Sequence, residues 1–187
     1  MKSQRIVITG GPGTGKTSII ESLTSIGYPC FPELIREFTV EEAQDKDASQ
    51  LKSNPIVFAD DSKDFNTRLL EGRKQQYLES LNLQSDYIFF DRGMPDVLAY
   101  MDYFDQSYEE DFINACKLHS YDTVFILPPW EAIFAEDEER YETFEEATHI
   151  FEHLNERYSY FGSTPIIVPK DTVTNRVSFI EQSLNKV

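Results

Sequence analysis

Five short stretches of the chain are almost continuously apolar, and longer stretches of mixed polarity separate them. The apolar stretches are rich in Val, Ile, Phe and Tyr and show little alternation between polar and apolar positions. Strands that are covered on both faces have this composition, whereas half-exposed strands alternate. The pattern therefore predicts buried strands at residues 5–9, 28–31, 87–90, 123–127 and 166–168.

The stretches between these strands have the spacing of amphipathic helices, in which apolar residues recur every three to four positions. Thr172 is a predicted N-cap for the last helix, which should end near Leu184. A long helix is predicted around the apolar stripe Phe58, Phe65, Leu69, Tyr77 and Leu81. The other predicted helices cover residues 16–25, 34–43, 94–104, 109–118 and 144–160, and the polar stretch 44–54 is predicted to lie on the surface.

The alternation of buried strands with helices is typical of parallel sheets, because parallel strands need a crossover connection. We therefore predict an α/β fold, with a doubly wound, five-stranded parallel sheet and helices on both faces. The chain has 187 residues, of which 40% are hydrophobic, and this suffices for one core. Residues 1–187 are predicted to form a single domain with a short lid at about residues 130–143.

A glycine-rich loop joins the first predicted strand to the first predicted helix. Residues 10–17 read GGPGTGKT, which fits the pattern G-x-x-x-x-G-K-[ST] at every fixed position. Glycines let successive backbone N–H groups point inward, and the helix N-terminus adds a partial positive charge. A glycine-rich turn without a ligand is the alternative, but the strand before the loop and the helix after it favour phosphate binding. The sequence thus predicts a P-loop NTPase fold that binds a nucleoside triphosphate with Mg²⁺.

The loop residues have different predicted roles. Lys16 would contact the β- and γ-phosphates, and the Thr17 hydroxyl would bind Mg²⁺. The residues predicted to hold the nucleotide in this loop are Gly11, Pro12, Gly13, Thr14, Gly15, Lys16, Thr17 and Ser18. Lys170, after the last predicted strand, is expected on the nucleobase side. The chain contains no guanine-reading N-K-x-D segment, so ATP is favoured over GTP as the bound nucleotide.

Charged residues follow the second and third predicted strands, where the carboxyl ends of parallel strands meet in a crevice. Asp91 is a candidate Mg²⁺ ligand or acceptor of a proton from a substrate hydroxyl. Arg92 is a candidate contact of the transferring phosphoryl group. A structural ion pair or a helix cap is the alternative for both. Glu33 and Arg36 are candidates for a general base or substrate contacts, with ordinary surface roles as their alternative.

Two further regions hold candidates for the acceptor side and the lid. Arg140 is the arginine of the predicted lid and would stabilise the charge of the transition state, although four acidic residues precede it. Asp96 would either cap the helix after Gly93 or bind an acceptor hydroxyl. The aromatic residues that follow could line an acceptor pocket or pack in the core, and they are Tyr100, Tyr103, Phe104 and Tyr108.

The formal net charge of −16 narrows the range of partners. An acidic surface repels nucleic-acid backbones and anionic lipids, so we expect no nucleic-acid binding and no membrane insertion. One local positive pocket remains compatible with this charge, and a small-molecule phosphoryl acceptor is the expected partner. Cys30 and Cys116 are expected to be reduced thiols, and the absence of a signal-peptide pattern favours a cytoplasmic location.

The order of these motifs resembles the NadR-like P-loop NTPase and kinase family, whose members are also described as AAA-type ATPase domains. The resemblance extends from residue 5 to about residue 180. It rests on ITGGPGTGKT at 8–17, PE at 32–33, RE at 36–37, FDRG at 90–93, PD at 95–96, LPPW at 127–130 and RYETFE at 140–145.

This resemblance implies a Mg²⁺-dependent kinase that transfers the γ-phosphate of ATP to a hydroxyl of a nucleoside or a ribosylnicotinamide-like molecule. By analogy with deoxynucleoside kinases, Glu33 would be the base, and Asp91 with Arg92 would serve the metal and the phosphate. Relatives that bind GTP and lipid phosphates imply an alternative, a nucleotide-dependent switch for a protein or a phospholipid headgroup. A simple NTP hydrolase is the third reading.

Overall fold

A computed structural model describes residues 3–35, 62–134 and 142–185. Within these ranges the chain forms one five-stranded sheet, and each of the five strands occurs where the apolar pattern predicts it. β2 and β5 are two residues long and are shorter than predicted. The strands are β1 (Gln4–Gly10), β2 (Cys30–Phe31), β3 (Tyr87–Asp91), β4 (Thr123–Leu127) and β5 (Ile166–Ile167).

The described ranges also contain six α-helices and one short 3₁₀ turn, Glu131–Ile133. The helices are α1 (Lys16–Ser25), α2 (Ser62–Ser80), α3 (Met94–Tyr103), α4 (Glu110–Leu118), α5 (Phe144–Tyr160) and α6 (Val173–Leu184). The Thr172 side chain accepts a hydrogen bond from the Asn175 amide at 3.3 Å, which confirms the predicted N-cap of α6.

Some predicted elements differ from the structure or fall outside its described part. The stripe prediction for Leu81 is wrong, because α2 ends at Ser80 and the Leu81 side chain is 54% exposed. Most of the predicted helix 34–43, all of the stretch 44–54, Phe58 and residues 135–141 of the predicted lid lie outside the described residues. The single-domain organisation and the lid therefore stay predictions.

All strand pairs are parallel, and the strand order is β2-β3-β1-β4-β5. This order confirms the doubly wound parallel sheet, because β1 lies in the centre and the later strands add on either side of it. Ile8 of β1 pairs with Asp91 of β3, and Gly10 pairs with Leu127 of β4. The register therefore places the loop after β1 directly beside the carboxyl ends of β3 and β4.

Helices cover both faces of the sheet, as its apolar strands predict. Ile6 and Ile8 of β1 pack on one face with α1 and α6, and Val7 packs on the other face with α2, α3, α4 and α5. Consequently α1 leaves β1 toward one face, whereas α3 leaves β3 toward the opposite face. A crevice between adjacent strands opens where their connections diverge in this way, and ligands of doubly wound folds bind there.

Cys30 and Cys116 are free cysteines, Cys30 half-buried and Cys116 buried. In the described ranges, no helix combines the length and the apolar character that crossing a bilayer would require.

Candidate active site

The P-loop follows β1 in a conformation that only glycine adopts easily. Gly13 and Gly15 have φ angles of 67° and 84°, in the left-handed region. A Cβ on Gly11 would lie 2.9 Å from the Ala147 carbonyl oxygen, which is too close for any side chain. Local backbone freedom and tight packing against α5 therefore both require the glycines that the motif contains.

Lys16 begins α1, and its side chain folds back over the loop. Its ammonium donates hydrogen bonds to the carbonyl oxygens of Gly10 and Gly11, at 2.9 Å and 2.7 Å. Burial, and next the nearby Arg92 charge, lower the pKa of Lys16 to about 7. Thr17 and Ser18 lie beside it with exposed side chains, so both hydroxyls are accessible to a ligand. The structure thus brings together the loop residues predicted to hold phosphate.

Asp91 is the last residue of β3 and lies next to the P-loop, with 7% of its surface exposed. Its Oδ1 atom is buried and has no hydrogen-bond partner within the described part of the chain. Burial, and then repulsion from Glu33, raise the pKa of Asp91, although Lys16 partly offsets them. A buried carboxylate oxygen without a donor is costly. A hydrated Mg²⁺ would satisfy this oxygen, so the donor set of Asp91 and Thr17 fits the predicted ion.

Arg92 follows Asp91 and connects the ends of several elements. Its φ angle of 74° is unusual for a non-glycine residue and turns the side chain back across the end of the sheet. The guanidinium forms a close ion pair with Glu33 and a second one with Asp96 at 3.3 Å, and it donates to the Gly10 carbonyl oxygen at 3.2 Å. Arg92 therefore links the crevice to the P-loop, with Glu33 and Asp96 as its carboxylate partners.

Glu33 lies just after β2 and is held between two arginines. Its Oε1 atom accepts hydrogen bonds from Arg73 at 3.1 Å and from the Leu34 amide at 3.1 Å, and its Oε2 atom pairs with Arg92. Burial alone would raise the pKa of Glu33, but Arg73 and Arg92 outweigh it and hold that pKa below its ordinary value. Glu33 is therefore an ionised carboxylate at neutral pH, and it lies in the crevice with Arg92.

Asp96 forms the buried centre of the network. Its oxygens accept hydrogen bonds from the Thr9 hydroxyl, the Tyr158 hydroxyl and the Gly93 amide, at 2.5, 2.5 and 2.9 Å, and it pairs with Arg92. Burial opposes its charge, but the arginines and the two hydroxyls lower the pKa of Asp96. Because Asp96 is only 1% exposed and accepts the Gly93 amide at the start of α3, it serves as the helix cap, the first of its two predicted alternatives.

Replacing Asp96 by Asn should lower the free energy of unfolding by about 3–5 kcal/mol, because Arg92 would lose a buried charge partner. Since the folded-state pKa of Asp96 lies below its ordinary value of 3.8, the carboxylate stabilises the fold above about pH 4. That contribution is lost as pH falls through the folded-state pKa. Urea unfolding at several pH values measures both effects.

Tyr158→Phe is the matched control for that substitution, because it removes one hydrogen bond and no charge. Its expected cost is smaller, about 1–2 kcal/mol. That cost should depend less on pH, because the Tyr158 hydroxyl is only one of the groups that lower the pKa of Asp96. Equal stability of the Asp96→Asn variant and the wild type at neutral pH would contradict the role of Asp96 as a buried anchor.

Three residues that contact this site belong to none of the sequence motifs: Arg73, Tyr158 and Arg176. Arg73 occupies the position between Leu69 and Tyr77 on the stripe of α2, where an apolar residue would be expected. Its guanidinium donates a hydrogen bond to the Gly93 carbonyl oxygen at 2.8 Å, and only 2% of the surface of Arg73 is exposed. A charged residue inside an apolar stripe is the signal that would have identified it.

The remaining predicted residues lie further from this network or outside the described part. Lys170 is exposed in the loop between β5 and α6, at the same end of the sheet as the P-loop. Arg36 and Arg140 lie outside the described residues. Tyr100 is buried in the core, and the Arg92 guanidinium lies over its ring, 5.3 Å from the ring centre.

Solved structures share this fold at low sequence identity. Deoxyadenosine kinase from M. mycoides with the products dCMP and dCDP aligns over 98% of this chain and 100% of its own, with 21% identity and a TM-score of 0.68. NadR protein in complex with NR aligns over 99% of this chain and 50% of its own, with 20% identity and a TM-score of 0.71. Thymidylate kinase from Candida albicans aligns over 99% and 92%, with 16% identity and a TM-score of 0.66.

These similarities confirm the predicted P-loop NTPase fold along nearly the whole chain. No curated protein matches the chain by sequence. A family profile described as an AAA domain does match, and it extends over residues 5–176, from the start of β1 into α6. The chain therefore belongs to this AAA-domain family of P-loop proteins.

Proposed function

We propose that this protein is a Mg²⁺-dependent kinase that transfers the γ-phosphate of ATP to a hydroxyl of a nucleoside or a ribosylnicotinamide-like molecule. The observation that carries this proposal is the position of Asp91, Arg92 and Glu33 at one crevice beside the P-loop lysine. A triphosphate in the loop would meet an ion site at Asp91 and a paired arginine and carboxylate at Arg92 and Glu33. Kinases of nucleosides and nucleotides are among the proteins that share the fold.

The P-loop side of the crevice would position the donor nucleotide. The backbone N–H groups of the loop and the Lys16 ammonium would bind phosphate oxygens. The negative charge of the bound phosphates would keep Lys16 protonated. The Thr17 hydroxyl and Asp91 Oδ1 would hold the ion. Bound Mg²⁺ supplies neutralisation of the negative charge on the phosphates.

The other side of the crevice would position the acceptor. Glu33 is ionised and accessible from the crevice, with 17% of its side chain exposed, so it can accept a hydrogen bond from a substrate hydroxyl. Arg92 lies between Glu33 and the P-loop, where a guanidinium can stabilise charge on the transferring group. We assign the acceptor hydroxyl to Glu33 because the free oxygen of Asp91 fits the ion.

Other parts of the proposal rest on the sequence. Arg140 would approach the phosphates from the lid, and Lys170 would lie beside the nucleobase. A cytoplasmic location also stays a prediction. The four acidic residues at 136–139 favour a second candidate function, a nucleotide-dependent switch that binds a protein or a phospholipid headgroup, because such a lid is a poor phosphate clamp.

Release of ADP from Mg-ATP tests the proposal. The wild type is assayed alone and with a panel of nucleosides, nicotinamide riboside and other small hydroxyl compounds. One compound should stimulate ADP release strongly, and Lys16→Ala should abolish this stimulation because the phosphates lose their main cationic contact. Lys117→Ala, an exposed lysine on α4, is the charge-matched control and should retain activity.

The outcomes separate the candidate functions. Nucleotide binding without stimulation by any acceptor would favour the switch module and contradict the kinase. ADP release that is fast, dependent on Lys16 and independent of every acceptor would identify a simple NTP hydrolase.

A further inference from the structure

A buried arginine lies beneath the P-loop and has no place in the proposed transfer reaction. Arg176 is the fourth residue of α6, and only 3% of its surface is exposed. One terminal nitrogen of its guanidinium donates a hydrogen bond to the Thr14 carbonyl oxygen at 3.0 Å. The other lies 3.0 Å from the position that a Cβ on Gly15 would occupy. Arg176 thus contacts the outer side of the loop at the point where α1 begins.

The charge of Arg176 is not matched by a carboxylate in the described ranges. Its Nε atom is buried and has no hydrogen-bond partner there, and burial lowers the pKa of Arg176. The other buried arginines at this end of the sheet, Arg73 and Arg92, both pair with Glu33. A buried cation without an anion is unfavourable for folding, so its presence requires a compensating interaction. A polyphosphate in the adjacent loop would supply the missing negative charge.

The hydrogen bond to Thr14 also determines the direction of a backbone donor. A peptide unit is planar, and in the trans form its carbonyl and its N–H group point in opposite directions. No peptide bond in the described residues is cis. Because Arg176 holds the Thr14 carbonyl oxygen toward α6, the Gly15 N–H group points away from α6, into the loop. The contact also polarises this peptide, which strengthens the N–H group as a donor.

We propose that Arg176 is a positioning residue for the phosphates of the nucleotide. It acts through the Thr14–Gly15 peptide by directing the Gly15 N–H group into the loop, and its charge, which no carboxylate of the described residues pairs with, raises the positive potential of the loop. This inference rests on the proposed nucleotide site but adds a residue from α6, at the far end of the chain. Its effect should increase with the number of phosphate charges on the ligand.

Binding of ATP, ADP and AMP to the wild type, Arg176→Met and Arg176→Lys tests this role by calorimetry in the presence of Mg²⁺. We expect Arg176→Met to weaken ATP binding by roughly tenfold to a hundredfold, the range of a hydrogen bond to a charged group. ADP should lose less affinity and AMP least. Arg176→Lys should restore part of the loss, because it returns the charge without the full hydrogen-bonding geometry.

Arg5→Met is the matched control. Arg5 is also buried, with 5% of its surface exposed, but it lies in the second position of β1, at the opposite end of that strand from the P-loop. Its Nε atom donates to the Ser80 hydroxyl at 2.9 Å. Loss of Arg5 should lower stability and leave the ratio of ATP to AMP affinity unchanged. A change of that ratio in Arg176→Met alone supports the proposal.

The backbone amide of Gly15 gives a second, spectroscopic readout. Its ¹⁵N–¹H resonance should shift in nucleotide-free Arg176→Met relative to the wild type, and Arg176→Lys should shift it less. An unchanged affinity ratio together with an unchanged Gly15 resonance would overturn the inference. If the wild type binds none of the three nucleotides, the proposed function is overturned instead. The Gly15 resonance of the free protein would still test whether Arg176 holds the Thr14–Gly15 peptide in its orientation.

Discussion

Replacing Glu33 by Gln is expected to lower kcat by about 10²–10⁴-fold, the usual contribution of a positioned acid–base group. The assay uses saturating Mg-ATP and the acceptor that stimulates ADP release. Glutamine keeps the shape of the side chain but cannot carry the negative charge that Arg73 and Arg92 share. The acceptor hydroxyl would face a neutral amide that cannot take up its proton, and both guanidiniums would lose a counter-charge. The Kd of Mg-ATP should change little, since the hydrogen bonds and ion pairs of Glu33 within the described ranges go to Arg73, Arg92 and the amides that follow it, and not to the P-loop.

Glu71→Gln provides the control for this substitution. Glu71 lies on the exposed face of α2 and pairs with Lys74 at 3.0 Å, so its loss removes one negative charge from the surface only. That variant should retain the kcat of the wild type. A Glu33→Gln enzyme with an unchanged kcat and a raised Kd for ATP would show that Glu33 serves the donor side of the crevice rather than the acceptor.

Replacing Asp91 by Asn should have the second large effect, a loss of about 10²–10³-fold in kcat/KM together with a higher Mg²⁺ requirement. The amide keeps the size of the side chain but removes the charge that would hold the ion. Titration of the initial rate with Mg²⁺ at a fixed ATP concentration measures the shift. If Asp91→Asn and Glu33→Gln both leave turnover with a true acceptor unchanged, the kinase proposal fails.

The same Asp91 substitution should not lower stability. Because the pKa of Asp91 is raised on folding, its charged form is disfavoured in the folded state at any pH above its ordinary value of 3.8. Removing the charge should therefore leave the free energy of unfolding equal to or above that of the wild type at neutral pH. Loss of activity with retained stability is typical of functional residues that strain the fold.

Asp86→Asn is the matched control at the other end of the same strand. Asp86 is exposed and directly precedes β3, whereas Asp91 ends it. The substitution should change neither the Mg²⁺ requirement nor the stability. A similar loss of activity in both variants would indicate a general dependence on negative charge rather than a specific role of Asp91.

Secondary structure and topology class were predictable because they depend on patterns that are local in the sequence. β1 and β4 are buried on both faces and therefore contain runs of consecutive apolar residues, Ile6 to Ile8 and Val124 to Leu127, which differ from the alternation of half-exposed strands. Leu81 shows where this reasoning fails. The spacing of four residues continues to Leu81, but the chain leaves the helix after Ser80, and helix ends depend on hydrogen bonds that spacing does not report.

The sequence predicted the candidate site where a residue stands at a strand end or within a motif. Glu33, Asp91 and Arg92 follow strands, so the crevice rule of doubly wound sheets assigns them to one place. Arg73, Tyr158 and Arg176 lie on helices far away in the chain, within stripes of buried residues. Nothing in a single sequence indicates which buried polar residue faces which partner.

By itself, the sequence determined the elements that local physics controls: apolar strands, amphipathic helices and a loop whose left-handed turns require Gly13 and Gly15. The tertiary structure alone decided the pairing of charges across elements. Only the tertiary structure shows that Asp96 caps α3 and that Glu33 is shared by two arginines. It alone shows that no donor among the described residues reaches one oxygen of Asp91. Electrostatic interactions depend on distance and burial, and folding sets both between residues far apart in the chain.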